Sequence, residues 1–335
     1  MHWAERIGRR LRPRDLHVFI TVAEQGNMAK AAERLAISRP VVSKTIAELE
    51  RLLGVPLFER NAKGVRPTVY GGALLKRGVA VFDELRQSVE EIRFLADPTV
   101  GELHCACTEV LSAGLISAAI DRLSQRHPHW VFHMELGSQA TRLELLRSRR
   151  TDVVIARDPT VDEDIAVEPL FCERLLVVAG PGSKWYRRPS VTLAELAEAQ
   201  WIQTTEEVAP GGPTHEAFHA QGLPIPKVNI FSASLNLRYG LLATGHFVTM
   251  IPASAFRLGP QHKSLRVLPV DIPPWRHPTA VLTLKNRVLG PVAQKFIETV
   301  REIAKALAAD QVPGLAKAQQ VQPATRVHRT ATAKS

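Results

Sequence analysis

Between residues 16 and 53 the chain carries three short apolar stripes at helical spacing, with breaks of only a few residues, and a basic hairpin pattern follows at once. Leu16, Phe19, Ile20 and Ala23 fall at i, i+3, i+4 and i+7. Gly26-Asn27 ends that stripe, and Asn27 is a capping residue for the next helix. Met28, Ala31, Ala32 and Leu35 repeat the spacing, and the small Ala31 and Ala32 admit a close neighbour. "AIS" then makes a turn, with Ser38 expected as N-cap and Pro40 in a first helical turn, where its missing N–H costs nothing. A third helix over about 39–53 would bury Val42, Ile46, Leu49 and Leu53. Its opposite side presents Pro40, Ser43, Lys44, Ala47 and Arg51, small near the start and basic along its length. "LFER" and "VRPT" read as two short strands around an "NAKG" turn carrying Arg60, Lys63 and Arg66. Such a pattern fits two helices that hold a third in place beside a basic wing. A helix tip of small residues enters a DNA major groove, and Ser and Lys there can donate to bases or phosphates.

The charge distribution agrees. The 335 residues carry a net charge of +10, of which residues 1–77 supply +8 and residues 311–335 supply +4. The stretch between is near neutral at −2. A basic head on a neutral body points to a polyanion met by the head alone. With 45% hydrophobic residues the chain has the composition of a soluble globular protein of two or three domains. No apolar run is long enough for a transmembrane helix, and the charged start "MHWAERIGRRLRPRDL" has no signal-peptide core, so a cytoplasmic protein is expected. Three cysteines, Cys105, Cys107 and Cys172, are too few and too odd for a disulfide framework.

The segments "FITVAEQGN", "AKAAERLAIS", "PVVSKTIAELERLLGVPLFER" and "PTVYG" resemble the winged helix-turn-helix of the LysR-type transcriptional regulators, in a nearly gap-free run of about 55 residues. The resemblance implies a DNA-binding regulator that reads inverted-repeat promoter sites as a dimer or tetramer, with double-stranded DNA, a small-molecule effector and RNA polymerase as partners. Carried over by position, Arg39, Pro40, Ser43 and Lys44 fall where family members approach base edges. Arg60 falls on the wing. The helix start at Ser38, with Arg51, Lys63 and Arg66, completes the expected interface. Lys44 stands where the family often has Arg, so it offers a point charge rather than a bidentate fork for guanine.

From Thr68 to about Ala96 a long helix is expected. Leu75, Phe82 and Val89 are seven apart, as are Gly78, Leu85 and Ile92. That is an a/d seam, and the family's linker helices pair through such a seam with a second chain. Asp97-Pro98 ends the helix.

Beyond Gly101 the pattern alternates. "ELHCACT", "WVFHMELG", "TDVVIA" and "ERLLVVAG" read as strands, with "LSAGLISAAIDRLSQR", "ATRLELLRSR" and "LAELAEA" as helices among them. This implies α/β structure with a mostly parallel sheet. "GELHCACTEV", "RHPHWVFHMELG", "TDVVIA" and "LLATGHFVTMIP" resemble the family's effector-binding domain, which has the two lobes of periplasmic binding proteins. The expected organisation is an N-terminal extension (1–12), a winged helix-turn-helix (13–70), a linker helix (70–97), an effector-binding domain (98–306) and a disordered basic tail (307–335). Lobe one would comprise 101–165 and 267–306, lobe two 166–266, hinged about a cleft.

Ligands of open α/β sheets sit beyond the carboxyl ends of strands. That singles out Thr108, Glu109 and Ser112, then Gly137, Ser138 and Gln139, then Thr204 and Thr205. The resemblance implies that such groups hold a small, often anionic effector, although each Ser or Thr also suits plain helix capping. Glu109 is a departure. It points away, pairs with an arginine, or the ligand is not an anion.

Two other readings compete. Cys105 and Cys107 share one side of a strand and, with Cys172 and nearby histidines, could serve a thiol- or metal-responsive regulator, but the surroundings are apolar and no recognised ligand spacing appears, so no metal is expected. A cytoplasmic solute-binding protein would explain the body but not the head. No catalytic motif is present, and neither catalysis nor a bound cofactor is expected.

Overall fold

The structure, a computed structural model, describes residues 10–61, 64–157, 162–259, 265–273 and 278–310, with Arg60, Asn61 and Asp310 described by backbone alone. The chain divides into two compact units. The first comprises residues 1–108, 120–168 and 281–297, and the second residues 109–119, 169–280 and 298–335.

The first unit begins with the predicted head. Helices α1 (Pro13–Gln25), α2 (Met28–Arg34) and α3 (Arg39–Leu53) precede the antiparallel hairpin β1 (Phe58–Asn61) and β2 (Gly64–Pro67). The three stripes meet in one core that includes Leu16, Phe19, Ile20, Met28, Ala31, Ala32, Val42, Ile46 and Leu49. Asn27 caps α2 by accepting from the amides of Ala29 (2.7 Å) and Lys30 (3.2 Å). Ser38 stands at the N-cap of α3, but its side chain makes no capping bond. The helix ends at Gly54, whose φ of +75° suits glycine and strains other residues. Glu50 then ties α3 to the hairpin, accepting from the amides of Leu57 (2.8 Å) and Phe58 (3.3 Å).

Thr68 caps α4 (Val69–Ala96), accepting from the amide of Gly71 at 3.0 Å. Here the expected seam divides. Leu75 and Phe82 pack on the head core with Leu74 and Val79. Gly78 is buried, and a Cβ there would stand 2.9 Å from Leu16 Cδ1. Leu75, Gly78 and Phe82 therefore lie against the chain's own head, Leu75 and Phe82 remaining partly exposed. The C-terminal half remains exposed: Leu85 and Val89 at 49% and Ile92 at 66%, joined by Val81 at 48% and Leu95 at 75%.

A five-stranded sheet completes this unit, in the order β4-β3-β5-β12-β6. Its strands are β3 (Val100–Cys107), β4 (His129–Leu136), β5 (Val153–Arg157), β6 (Ile165–Cys172) and β12 (Pro278–Leu284). Strand β3 runs parallel to both β4 and β5. Helix α7 (Gln139–Arg147) precedes β5.

The sheet is joined to α4 by a buried ionic network. Arg287 has no exposed side-chain surface and grips Asp83 of α4 with two bonds, Nε to Oδ2 at 2.7 Å and Nη2 to Oδ1 at 2.8 Å. The same guanidinium reaches Asp152 at 2.7 Å and the Thr151 carbonyl at 2.6 Å. Arg149 (2.7 Å) and Arg86 (2.8 Å) also donate to Asp83. Arg86 continues to Glu90 at 2.7 Å. Asp152 Oδ2 accepts from the backbone amide of His104 in β3 at 2.9 Å. Three guanidiniums thus face three carboxylates, and the cost of burying each charge is offset by a partner.

The second unit holds the other five-stranded sheet, ordered β11-β7-β10-β8-β9. Its strands are β7 (Leu175–Ala179), β8 (Gln200–Gln203), β9 (Val228–Phe231), β10 (Phe247–Pro252) and β11 (Arg266–Val267). Around it lie α5 (Glu109–Leu111), α8 (Leu193–Leu196), α9 (Thr205–Val208), α10 (Pro213–His219), α11 (Leu235–Ala243) and α12 (Ala253–Leu258). Trp201, fully buried, anchors the core with Phe218, their ring centroids 5.8 Å apart, and its indole N–H reaches the Leu196 carbonyl at 2.7 Å.

Four expectations change. The second sheet is mixed, because β7 runs antiparallel to both β10 and β11, whereas a mostly parallel sheet was expected. The chain returns to the first unit at residue 281, not near 267, because β11 pairs with β7 at the edge of the second sheet. The expected single helix over residues 111–126 is α5, a π-helical turn (Ser112–Ile116) and α6 (Ser117–Arg126), and the chain changes unit at residue 120 within α6. Helix α13 (Pro291–Asp310) includes residues 307–310, which were expected in the tail, with Leu307 buried, and residues 311–335 lie outside the described residues.

The network gives a stability prediction. Arg287→Met strands two buried carboxylates and should cost about 3–5 kcal/mol in urea unfolding. Burial opposes ionisation of Asp83, but its bonds to Arg287, then Arg86 and Arg149, outweigh that and hold its carboxyl below the ordinary value. Its contribution is therefore complete above about pH 4 and is lost as pH falls through the folded value. Arg287→Met should flatten that acid limb of the stability curve.

Candidate nucleic-acid interface and effector residues

The head presents one exposed end. At the start of α3, Ser38, Arg39 and Pro40 are exposed, as are Lys44 and Arg51 further along, while Val42, Ile46 and Leu49 face inward. No acidic residue lies in its first turn and no side chain caps it. The positive end of the helix dipole is thus left without a carboxylate to balance it, the electrostatic setting in which a phosphate is favoured. Lys44 Nζ lies 4.0 Å from Glu48, both side chains more than half exposed, a pair too loose to hold the lysine from another anion. Ser43 differs from expectation. It is half-buried, and its hydroxyl lies 3.5 Å from Met28 Sδ of α2, so part of its surface faces the head itself.

The hairpin stands beside this helix. Val65 donates to the Gly26 carbonyl at 2.9 Å, which ties β2 to the α1–α2 turn. Arg66 is exposed on β2, with Glu59 its cross-strand neighbour. Arg60 lies on β1 with its side chain not described, and Lys63 lies outside the described residues.

The expected effector residues fall in both units: Thr108, Ser138 and Gln139 in the first, Glu109, Ser112, Thr204 and Thr205 in the second. Several of their polar atoms are already engaged. Ser138 caps α7, accepting from the Thr141 amide at 3.3 Å, and Ser112 donates to the Glu109 carbonyl at 2.6 Å. Thr204 and Glu207 form a capping box at the start of α9. Thr205 is exposed. Glu109 finds a partner within its own unit. Its carboxylate accepts from the Leu235 amide at 2.8 Å, in the first turn of α11, where a negative charge is favoured.

Two residues beside this set escaped the sequence reading. Arg238 of α11 is fully buried and meets Glu207 at 2.7 and 3.3 Å, Thr249 at 3.2 Å and the Ser232 carbonyl at 2.9 Å. Gln203, at the end of β8, has no exposed surface, and among the described residues neither amide atom finds a partner. An orphaned buried amide costs about 1–3 kcal/mol and marks a place where a polar ligand or water is welcome. Thr204 and Thr205 were singled out immediately after Gln203, but periodicity could not distinguish an inward Gln from an outward one.

The two thiols of β3 are shielded from solvent. Cys105 and Cys107 are fully buried, and burial pushes the Cys107 thiol up to about 12 and that of Cys105 well above its ordinary value. Such groups stay protonated, so they are weak nucleophiles and weak metal ligands. Cys172 is exposed.

Comparison with known proteins agrees with this geometry. Residues 13–72 match the family described as bacterial regulatory helix-turn-helix protein, lysR family, and residues 96–305 match the LysR substrate binding domain. The chain is 28% identical over 295 residues to the uncharacterized HTH-type transcriptional regulator YdcI of Escherichia coli K12, covering 88% of this chain and 96% of that one. It is 31% identical over 242 residues to the HTH-type transcriptional regulator TdfR of Cupriavidus pinatubonensis, covering 72% and 82%. Among solved structures, a full-length OxyR variant from Pseudomonas aeruginosa superposes with a TM-score of 0.63 at 21% identity, covering 87% of this chain and 95% of that one. CbnR complexed with its target DNA gives 0.51 at 23% identity, covering 88% and 100%, and both structures speak to the fold. With a reading head over residues 13–72 and a substrate-binding fold over residues 96–305, the chain belongs to the LysR family of DNA-binding transcriptional regulators.

Proposed function

We propose that this cytoplasmic regulator reads an inverted-repeat promoter site as an oligomer, pairs through the exposed part of α4, answers to a small molecule bound by its C-terminal domain, and acts on RNA polymerase. The observation that carries the reading is the start of α3. An uncapped, acid-free helix end with Arg39 exposed stands above a buried apolar stripe, so the helix is fixed while its tip is free to enter a groove. Pro40 and the half-buried Ser43 keep that tip slim, and Lys44 and Arg51 supply charge along it.

Pairing rests on Val81, Leu85, Val89, Ile92 and Leu95. They recur at three- and four-residue intervals, and each is about half exposed or more. A second copy of the same helix is the natural cover, because two reading heads on one duplex multiply specificity. The effector reading rests on Gln203 and the neighbouring Thr204. The orphaned amide offers an NH2 group with two donors and a carbonyl acceptor to a polar ligand, a neutral pairing that does not require an anion. Effector binding alters DNA binding only in so far as the ligand distinguishes two arrangements of the protein.

Three outcomes are expected. Lys44→Ala should lower the slope of log affinity against log salt by about 0.9, with the melting temperature unchanged. A DNA-retardation series across salt concentrations reads this, and an unaltered slope would place Lys44 off the duplex. Leu85→Glu with Ile92→Glu should convert the oligomer to monomer in light scattering at micromolar concentration, leaving the monomer folded. Gln203→Leu should keep or raise the melting temperature, by removing the orphan, while abolishing the shift given to the parent chain by a ligand found in a thermal screen. A ligand shift that survives would remove Gln203 from the effector site.

A further inference from the structure

Strand register brings together three side chains that no motif spacing joins. His104 and His133 are direct cross-strand partners in the parallel pair of β3 and β4, and Glu102 lies two residues before His104, on the same face of β3. The imidazoles are stacked, with centroids 4.3 Å apart and planes 5° from parallel. Both present Nε2 to the same carboxylate, Glu102 Oε2, at 3.9 Å from His104 and 3.7 Å from His133. One ligating atom from each of the three residues lies within 4.8 Å of the others.

Those distances are close to what a metal requires. Two donors about 2.0–2.1 Å from a tetrahedral Zn2+ stand about 3.4 Å apart. Each carboxylate–imidazole pair needs to close by only a few tenths of an ångström, and the two imidazole nitrogens, which lie within 4.8 Å, must converge by χ2 rotations that unstack the rings. Two imidazoles and one carboxylate form the donor set of an open three-ligand zinc site, and they suit Zn2+, Ni2+ or Cu2+ rather than the all-oxygen shells of Mg2+ and Ca2+. The place is accessible. Strand β4 is at the sheet edge, and the side chains of Glu102, His104 and His133 are 59%, 34% and 46% exposed. The scaffold is also set in advance, because Asp152 holds the His104 amide at 2.9 Å.

We propose that Glu102, His104 and His133 form a binding site for a divalent transition-metal ion of the zinc class, with a fourth position left to water. The site differs from any built on Cys105, whose side chain lies on the opposite face of β3 and is fully buried.

The test uses the full-length protein, stripped with a chelator and titrated calorimetrically with Zn2+, and separately with Mg2+. One Zn2+ per chain should bind, with no heat from Mg2+. His133→Gln and Glu102→Gln should each weaken Zn2+ binding by about tenfold or more, while the metal-free melting temperature stays unchanged. His215 and His219, stacked on one face of α10 with centroids 5.6 Å apart, are the competing histidine pair. The double variant His215→Gln with His219→Gln should bind Zn2+ like the parent. Co2+ substitution provides a readout independent of affinity, since its visible absorption should report nitrogen ligands and change in His133→Gln. Absence of Zn2+ binding, or affinity that follows His215 and His219 instead, overturns the proposal.

Discussion

The hold of Arg287 on Asp83 is the contact on which the first unit depends. These residues are 204 positions apart in sequence, and their junction fixes a DNA-reading head, through its long helix, to a sheet built much later in the chain. An apolar contact would tolerate sliding by a turn. A bidentate guanidinium does not, because a shift of α4 leaves a buried carboxylate without its donors. Arg86 and Arg149 share Asp83, and Asp152 carries the network on to the backbone of β3. Arg149 itself adopts a φ of +58°, rare for a residue with a side chain, which is the backbone cost of bringing its guanidinium to this place. Little net stability is needed from such an arrangement for it to matter. Its effect is to permit only one registration of the helix on the sheet.

The two ends of α4 serve different partners, and exposure separates them. Leu75, Gly78 and Phe82 are used within the chain, whereas Leu85, Val89 and Ile92 are left bare. A heptad pattern in sequence states only that one side of a helix is apolar. Which neighbour covers that side depends on what the fold places there. In this chain the head packs on the first part, and the side chains beyond it are left exposed.

The same distinction decides what the sequence disclosed. The head was legible nearly residue by residue, because its stripes, its caps and Gly54 are local signals read over three or four positions. Strands with clean apolar runs, such as β5 and β7, were legible for the same reason. Strands β6 and β9 went unread. Pro169 interrupts the apolar pattern of "IAVEPLFC", and "VNIF" is only four residues long. Residues 111–126 looked like one helix because a π-helical turn leaves no mark on composition. The residues singled out for an effector lie at strand ends, yet a hydroxyl's partner depends on geometry, and caps absorb several of them. The pairing of His104 with His133 required the register of β3 against β4, which no single strand's sequence contains.

The close approach at Gly78 bears on how such proteins are recombined. Because α1 rests on the first turns of α4, the natural seam between reading head and receiver does not coincide with the end of the hairpin. A hybrid that exchanged only residues up to Thr68 would set a foreign α1 against a glycine groove shaped for Leu16 and Ile20. One that exchanged beyond Phe82 would carry away Asp83 and leave Arg287 with only one of its two carboxylates. The workable splice lies immediately after Phe82, so the head travels as a module together with the first half of its own helix.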